Sequence, residues 1–380
     1  MSEYQYYEFQ KVDGRLSDTE MRELRAYSTR ARITPSSFIN EYEWGSFKGN
    51  VDTWMEKYFD GYLYLANWGT HEIQLAIPAG LVTLAIAKRY CSSQVAFSRE
   101  KSRKLIFTFL SEEEPDGEWL EGEGHLSALL QIRNELAHGD LRPLYLGWLI
   151  GVQTGGSAGT GKEPPVPPNL ADLSGAQENL VDFLRLDRDL LAAAAQNSSR
   201  AKTDAASSRE TVHWIASLPA SEKDEMLVQV MEGAAARVGM ELQSRFRRRQ
   251  NGGRVAVAVK TRTVAELLSR AEALRESRLL QERQKAALEK VRREQAAVVA
   301  RENHLNSLAG RSESIWETVD SLAGSRLPKN YDEAVRHVAD LRDLAEREGR
   351  QAEFKERLVT LRNRHSAKKS LIERLAKRGL

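Results

Sequence analysis

The sequence predicts an α+β N-terminal domain followed by a mainly α-helical region with a long helix or helical hairpin. About 22 of the 28 Phe, Trp and Tyr residues precede residue 151, which places the main aromatic core there. Short β-prone runs occupy the same part of the chain. Beyond it, apolar residues recur at spacings of three and four, the period of an amphipathic helix.

The front of the chain contains at least four predicted strands and two short helices. The strands are the β-prone runs at 4–12, 62–68, 71–78 and 103–110, each bounded by Gly, Pro, Asn or charged residues. Ser17 and Glu20 form a capping box that opens a helix, and a second helix follows Asn50. Seven acidic residues with Gly and Pro at 112–124 predict a loop.

Composition divides the chain into three structured parts. We expect a mixed α/β domain at 1–153, a Gly/Pro-rich linker at 154–169 and a small helical bundle at 170–250. A long charged helix and a C-terminal helical hairpin follow at 262–380, where the stretch 263–309 holds neither Pro nor Gly. Gly349 ends the first helix of this hairpin, and one last helix starts near Gln351.

Several classes of function are disfavoured by composition. Cys91 is the only cysteine, so intramolecular disulfides and cysteine-based zinc fingers are excluded, and no His-rich motif predicts a metal site. No stretch approaches the length of a membrane span, and no signal peptide is recognisable, which predicts a cytoplasmic protein. We expect no cofactor.

The long helix can pack in two ways. A spacing of seven residues separates Val291, Val298 and Leu305. The same register places Gln284, Glu294 and Arg301 on the seam, so the heptad signal is weak. The helix either packs antiparallel within the chain or pairs with another molecule, as in a homodimer.

Two short strings resemble catalytic motifs. Gly156 to Glu163 is close to a phosphate-binding Walker loop, but Glu163 replaces the Ser or Thr that holds magnesium, and the following prolines prevent a helix. The string RNELAH resembles the RN-x3-H signature of HEPN ribonucleases. That resemblance implies Arg133, Asn134 and His138 as catalytic residues, with His138 and Arg133 polarising the 2′-hydroxyl of RNA and stabilising the phosphate.

Positive charge is concentrated in the rear of the chain. The net charge is roughly −8 for residues 1–200 and roughly +10 for residues 201–380. Surplus basic residues can bind the backbone of DNA or RNA. The residues expected to do so are Arg245, Arg247, Arg248, Arg249, Arg254, Lys260, Lys368 and Lys369.

The last fifty residues, 331–380, resemble the helical tail of bacterial SWIM zinc-finger proteins. The segments RARITPSSFINEYEWGSFKGN, LYLGWL, EPPVPP and WIASLPASEKDEML further resemble an uncharacterised bacterial family associated with those proteins. The zinc ligands of a SWIM finger are absent, so no zinc is expected. The resemblance implies a shared helical module and a SWIM-domain protein or a helicase as partner.

These observations favour a non-catalytic adaptor or scaffold. Its basic helical C-terminal half would bind a protein partner, a nucleic acid backbone, or both. A HEPN-like ribonuclease that uses residues 133–138 is the alternative function.

Overall fold

The computed structural model describes residues 3–112, 122–155, 161–200, 208–250, 262–325 and 327–380. The chain divides into two compact units, an N-terminal unit, Met1–Arg278, and a C-terminal unit, Leu279–Leu380. Within the described residues, no helix combines the length and apolar character that crossing a membrane requires.

The N-terminal unit is built around a seven-stranded antiparallel sheet in the order β2-β3-β1-β4-β5-β7-β6. Both faces of this sheet are covered, which is why Leu75 and Ala76, neighbours that point to opposite faces, are both buried. The strands are β1 (Gln5–Gln10), β2 (Arg32–Thr34), β3 (Ser37–Tyr42), β4 (Gly61–Ala66), β5 (Thr70–Pro78), β6 (Ala96–Lys101) and β7 (Lys104–Glu112).

Aromatic side chains form the core on one face of the sheet. Phe9, Phe38, Trp54 and Phe59 pack together there, with ring centroids of Phe9 and Trp54 5.1 Å apart. Two short helices cover this face, α1 (Asp18–Arg25) and α2 (Val51–Lys57), and the predicted capping box of Ser17 and Glu20 is present. The predicted aromatic core and its two helices are therefore confirmed.

Helices cover the opposite face. Gly147 allows its helix, Arg142–Gln153, to lie directly on the sheet, because a Cβ atom at this position would come within 2.2 Å of the Phe109 ring. The helices of this unit after α2 are α3 (Leu84–Tyr90), α4 (His125–Leu129), α5 (Gln131–Ala137), α6 (Arg142–Gln153), α7 (Gly175–Phe183), α8 (Arg188–Ala195), α9 (Ser208–Ala216), α10 (Ala220–Gln229) and α11 (Ala235–Gln250), with a π-helical turn at Val230–Ala234 between α10 and α11.

The boundary of the first unit differs from the predicted one. Residues 154–169 do not separate two compact bodies, because the apolar faces of α7 and α8 are buried in the same core as the sheet. Leu180 and Leu190 belong to that core, as do Val264 and Leu267 from the start of the next helix. Part of the predicted linker, 156–160, lies outside the described residues, and among the described ones α7 and α8 pack on α6.

The long helix is confirmed as α12 (Val264–Leu308), 45 residues. It begins in the N-terminal unit and continues into the C-terminal unit, whose other helices are α13 (Ser312–Gly324), α14 (Pro328–Arg347), α15 (Gln351–Arg364) and α16 (Lys369–Lys377). Val319, Val338, Leu361 and Leu375 lie in the core of this unit. The single last helix predicted after Gln351 is in fact two, since α15 ends before His365 and α16 starts after Lys368.

Candidate interaction surfaces

The middle of α12 contacts no other part of the described chain closely enough to be covered. Every residue from 276 to 300 is exposed, a run of about 37 Å at the rise of an α-helix. The intramolecular antiparallel packing considered for this helix is therefore not observed along this run. Most helices in proteins are stabilised by burying one face, so 25 consecutive exposed residues leave a face uncovered.

An apolar stripe without charge runs along this exposed segment. At 100° per residue, its members fall within an arc of about 120° on one side of the helix. Leu288 is 72% exposed, and Leu280, Val291, Val298 and Val299 are between 49% and 66% exposed. The members of the α12 stripe are Leu280, Gln284, Ala287, Leu288, Val291, Gln295, Val298 and Val299.

The stripe differs from the heptad seam expected from the sequence. Leu305 is buried within the C-terminal unit and is not part of the exposed face. Glu294 and Arg301 lie beside the stripe, whereas Leu280 and Leu288 lie within it. The α12 stripe is therefore uncharged over its whole length, which the heptad register had obscured.

Arginines at the two ends of the exposed run are paired with carboxylates of their own unit. In the N-terminal unit, Arg278 contacts Asp189 at 2.8 Å, and Arg275 contacts Asp187. In the C-terminal unit, Arg301 holds Asp343 at 2.5 Å. These pairs fix the two ends of α12 and neutralise part of the basic surplus.

The predicted nucleic-acid residues are divided by the structure into paired and exposed ones. Arg245 holds Glu222 and Glu241, and its contact with Glu241 is 2.6 Å. Lys368 donates to the carbonyl of Ala323 and is half-buried. Arg249 and Lys369 are exposed. The side chains of Arg247 and Arg248, and the whole of Arg254 and Lys260, lie outside the described residues.

The C-terminal helices show the same self-pairing. Arg364 holds Asp320, Arg374 holds Asp332, and Arg357 holds Glu313. Exposed pairs of this kind contribute little to stability, but they lower the positive potential that a phosphate backbone would meet. The charge asymmetry of the sequence therefore overstates the free positive charge of this unit.

The three residues of the HEPN-like string do not converge. Arg133 is 1% exposed, and it donates through Nε to the carbonyl of Ala76 at 2.6 Å and pairs with Asp13 at 2.7 Å. His138 Nδ1 donates to the carbonyl of Asn134, at the end of the same helix. Arg133 thus faces the sheet, while His138 closes the C-terminus of α5.

A polar cavity of about 680 Å³ lies at the end of the sheet, and its lining includes Asp13 and Ala76, the two partners of Arg133. Its buried carboxylate, Asp60, accepts hydrogen bonds from the Val12 and Asp13 amides and pairs with Lys104 at 3.0 Å. Burial opposes ionisation of Asp60, but Arg133 and Lys104 hold its pKa below the ordinary value. These charged groups neutralise one another, and their network joins β5, β7 and α5 to the segment after β1 and to the residue before β4.

The near-Walker string ends in a structural ion pair. Glu163 is buried, and Arg262 donates to it through Nε at 2.7 Å and through a second nitrogen at 3.0 Å. The Tyr145 hydroxyl donates to the same carboxylate, and the Glu163 amide donates to the Arg262 carbonyl. Residues 156–160 lie outside the described part of the chain. Glu163 thus holds Arg262, two residues before α12 begins.

No family model, no curated protein and no solved structure matches this chain. Among the described residues, no group of three or more His, Cys, Asp or Glu side chains could hold a metal ion. The α12 stripe was absent from the sequence prediction because a weak heptad does not reveal which face of a helix the fold leaves uncovered. Exposure in the structure supplies that information.

Proposed function

We propose that this protein is a non-catalytic scaffold that binds a helical segment of a protein partner through the α12 stripe. The observation that carries the proposal is the run of 25 consecutive exposed residues, 276–300, with an apolar face. Contiguous apolar surface bordered by charged residues is typical of interaction sites. A second amphipathic helix is the occupant that fits a narrow stripe of this length.

The chemistry of the stripe supports a helix more than a nucleic acid or a small ligand. Leu, Val and Ala side chains offer dispersion and burial, and Gln284 and Gln295 offer amide hydrogen bonds to a similar polar side chain. No phosphate-binding cation lies within the stripe. A SWIM-domain protein or a helicase is the class of partner that the resemblance of residues 331–380 suggests.

A photo-reactive residue placed at Leu288 tests the proposal in living cells. Ala286 provides the matched control, because it is exposed on the same helix but on the opposite side from the stripe. We expect a covalent adduct on illumination when the reactive group is at 288 and none when it is at 286. Equal labelling at the two positions, or no adduct at either, would refute the scaffold function.

Binding of a nucleic acid backbone is a second candidate, and exposed Arg249 and Lys369 favour it. Among the described residues neither side chain forms an ion pair, in contrast to Arg245. Filter binding to DNA and RNA across a salt series tests this candidate. A phosphate contact predicts affinity that falls steeply with salt and falls further in Lys369→Glu. Absence of binding at low salt would exclude it.

A further inference from the structure

The polar cavity at the end of the sheet has the size of a small-molecule site. Its volume is about 680 Å³, and it is lined by residues of β5, of the turn between β6 and β7, and of α10 and α11. All of these elements belong to the N-terminal unit. The charged residues of the lining are five cations, Lys11, Lys57, Arg103, Lys104 and Arg237, and three carboxylates, Asp13, Asp60 and Glu241.

Ion pairs account for all of these charges except two. The pairs are Asp60 with Lys104 at 3.0 Å, Asp13 with Arg133 at 2.7 Å, Glu241 with Arg245 at 2.6 Å, Lys57 with Glu23 at 2.8 Å and Lys11 with Glu20 at 3.8 Å. Among the described residues, Arg103 and Arg237 have no carboxylate within ion-pair distance, and Arg237 donates instead to the side-chain oxygen of Gln229 at 3.0 Å. Two arginines from separate elements therefore bring unmatched positive charge to one cavity.

Arg103 occupies a turn position that an arginine adopts at a cost in backbone strain. Lys101 pairs with Lys104 across the hairpin, so Ser102 and Arg103 form a two-residue turn, with φ angles of 52° and 64°. Turns of this kind favour Asn and Gly, because a Cβ atom is crowded in the left-handed region. Strained backbone of this kind is concentrated at functional sites. Here the strain keeps a guanidinium and a hydroxyl at the cavity.

Arg237 follows a kink between α10 and α11. The π-helical turn Val230–Ala234 contains Gly233 with a φ of 92°, and such turns are frequent at functional sites. A Cβ atom at Gly233 would lie 3.9 Å from the Cα atom of Gly14, so the kink lies against the segment after β1. Gln229 before the kink and Arg237 after it both line the cavity.

Two arginines and a hydroxyl from separate elements fit a phosphate group. A carboxylate has two oxygens, and one guanidinium binds both. The phosphate of a monoester has three acceptor oxygens and close to two negative charges at pH 7, so it can accept from two guanidiniums at once. We propose that this cavity binds a small molecule that carries a phosphate group, held by Arg103, Ser102 and Arg237. The organic part of the ligand then lies beside Ile77 and Pro78. This site is separate from the α12 stripe, and the inference does not rest on the scaffold function.

Calorimetric titration of the full-length protein tests the chemistry of the ligand. The probes are inorganic phosphate, AMP and glycerol phosphate, and succinate is the control, since it has two negative charges on carboxylates. We expect inorganic phosphate to bind, and at least one of the two esters to bind more tightly because it also fills the apolar part of the cavity. Absence of binding by all three phosphate probes at millimolar concentration, or binding of succinate as tight as theirs, would overturn the inference.

Two substitutions with matched controls test the location of the site. Arg103→Gly and Arg237→Gln should each weaken binding of the phosphate probes by about tenfold or more, because each removes charge-assisted hydrogen bonds. Arg103→Gly should unfold at a temperature no lower than that of the wild type, since glycine adopts the left-handed turn without strain. Its loss of binding is then not a loss of folding.

The controls remove the same charge from the same two elements. Lys101 lies beside the β6–β7 turn and Arg249 lies on α11, and both are exposed and outside the lining of the cavity. Lys101→Gln and Arg249→Gln should therefore bind the phosphate probes as the wild type does. Weakening by these controls equal to that of Arg103→Gly and Arg237→Gln would show a general charge effect and overturn the inference.

Discussion

Replacement of Arg133 separates a structural role from a catalytic one. Arg133→Met keeps the apolar stem of the side chain within the core and removes the guanidinium that binds Asp13 and the Ala76 carbonyl. A catalytic arginine at the same position would lose RNA cleavage without a large loss of stability. The structure predicts the reverse, because this side chain is almost completely buried.

The magnitude follows from the groups left behind. An unsatisfied buried carbonyl costs about 1–3 kcal/mol, and it is the Ala76 oxygen that would lose its donor. Breaking a buried ion pair by removing one partner costs about 3–5 kcal/mol, so Asp13 would become a poorly compensated carboxylate. We expect Arg133→Met to lower the free energy of unfolding of the N-terminal unit by about 3–5 kcal/mol.

Urea unfolding followed by tryptophan fluorescence measures this change. Six of the seven tryptophans lie within residues 1–278, so the signal reports the N-terminal unit. Asn134→Ala is the matched control, because its side-chain amide donates to the exposed side chain of Gln131, and we expect a change within about 0.5 kcal/mol. If Arg133→Met unfolded within 1 kcal/mol of the wild type, the buried network would not have the structural role described.

Three further predictions concern the same unit. Burial lowers the pKa of His71 to about 4 from an ordinary 6.5, so this residue contributes stability above pH 6.5, up to about 3 kcal/mol of which is lost as the pH falls towards 4. In urea titrations, the free energy of unfolding should therefore differ less between pH 7 and pH 4.5 in His71→Phe than in the wild type. An equal difference in the two proteins would contradict this. Glu163→Gln should destabilise the N-terminal unit by about 3 kcal/mol, because it leaves Arg262 without its carboxylate. In a double-mutant cycle, Arg262→Met in the same chain should recover part of this loss. Additive losses would show that Glu163 and Arg262 do not interact. Neither the wild type nor His138→Ala should cleave RNA in a cleavage assay. Cleavage by the wild type but not by His138→Ala would establish the ribonuclease function.

The sequence was most informative where a single local rule decides the structure. The alternation in residues 71–78 and the capping box of Ser17 each produced a correct element. The strands β2, β3 and β6 were not predicted, because their side chains are largely polar or half-buried and their alternation is weak. Edge positions in the sheet, which only the assembled topology reveals, explain that pattern for β2 and β6.

Interactions between distant residues account for the rest of the difference. The ion pairs of Arg262 with Glu163 and of Arg133 with Asp13 join residues about a hundred positions apart, and no spacing in the sequence predicts them. Basic runs likewise give no sign of which arginines are already neutralised. The sequence indicated those basic runs as the candidate surface, whereas the structure indicates the α12 stripe. The two differ because exposure and pairing depend on the packing of the whole unit.

Amide hydrogen exchange over residues 276–300 provides the most direct test of whether the exposed helix is covered in solution. An isolated exposed helix opens locally with little cost, so its amides exchange fast, whereas a paired helix protects them. We predict slow exchange in the wild type bound to the partner that position 288 captures, and fast exchange in Leu288→Glu under the same conditions. Identical fast exchange in the two proteins would contradict pairing through this face of α12.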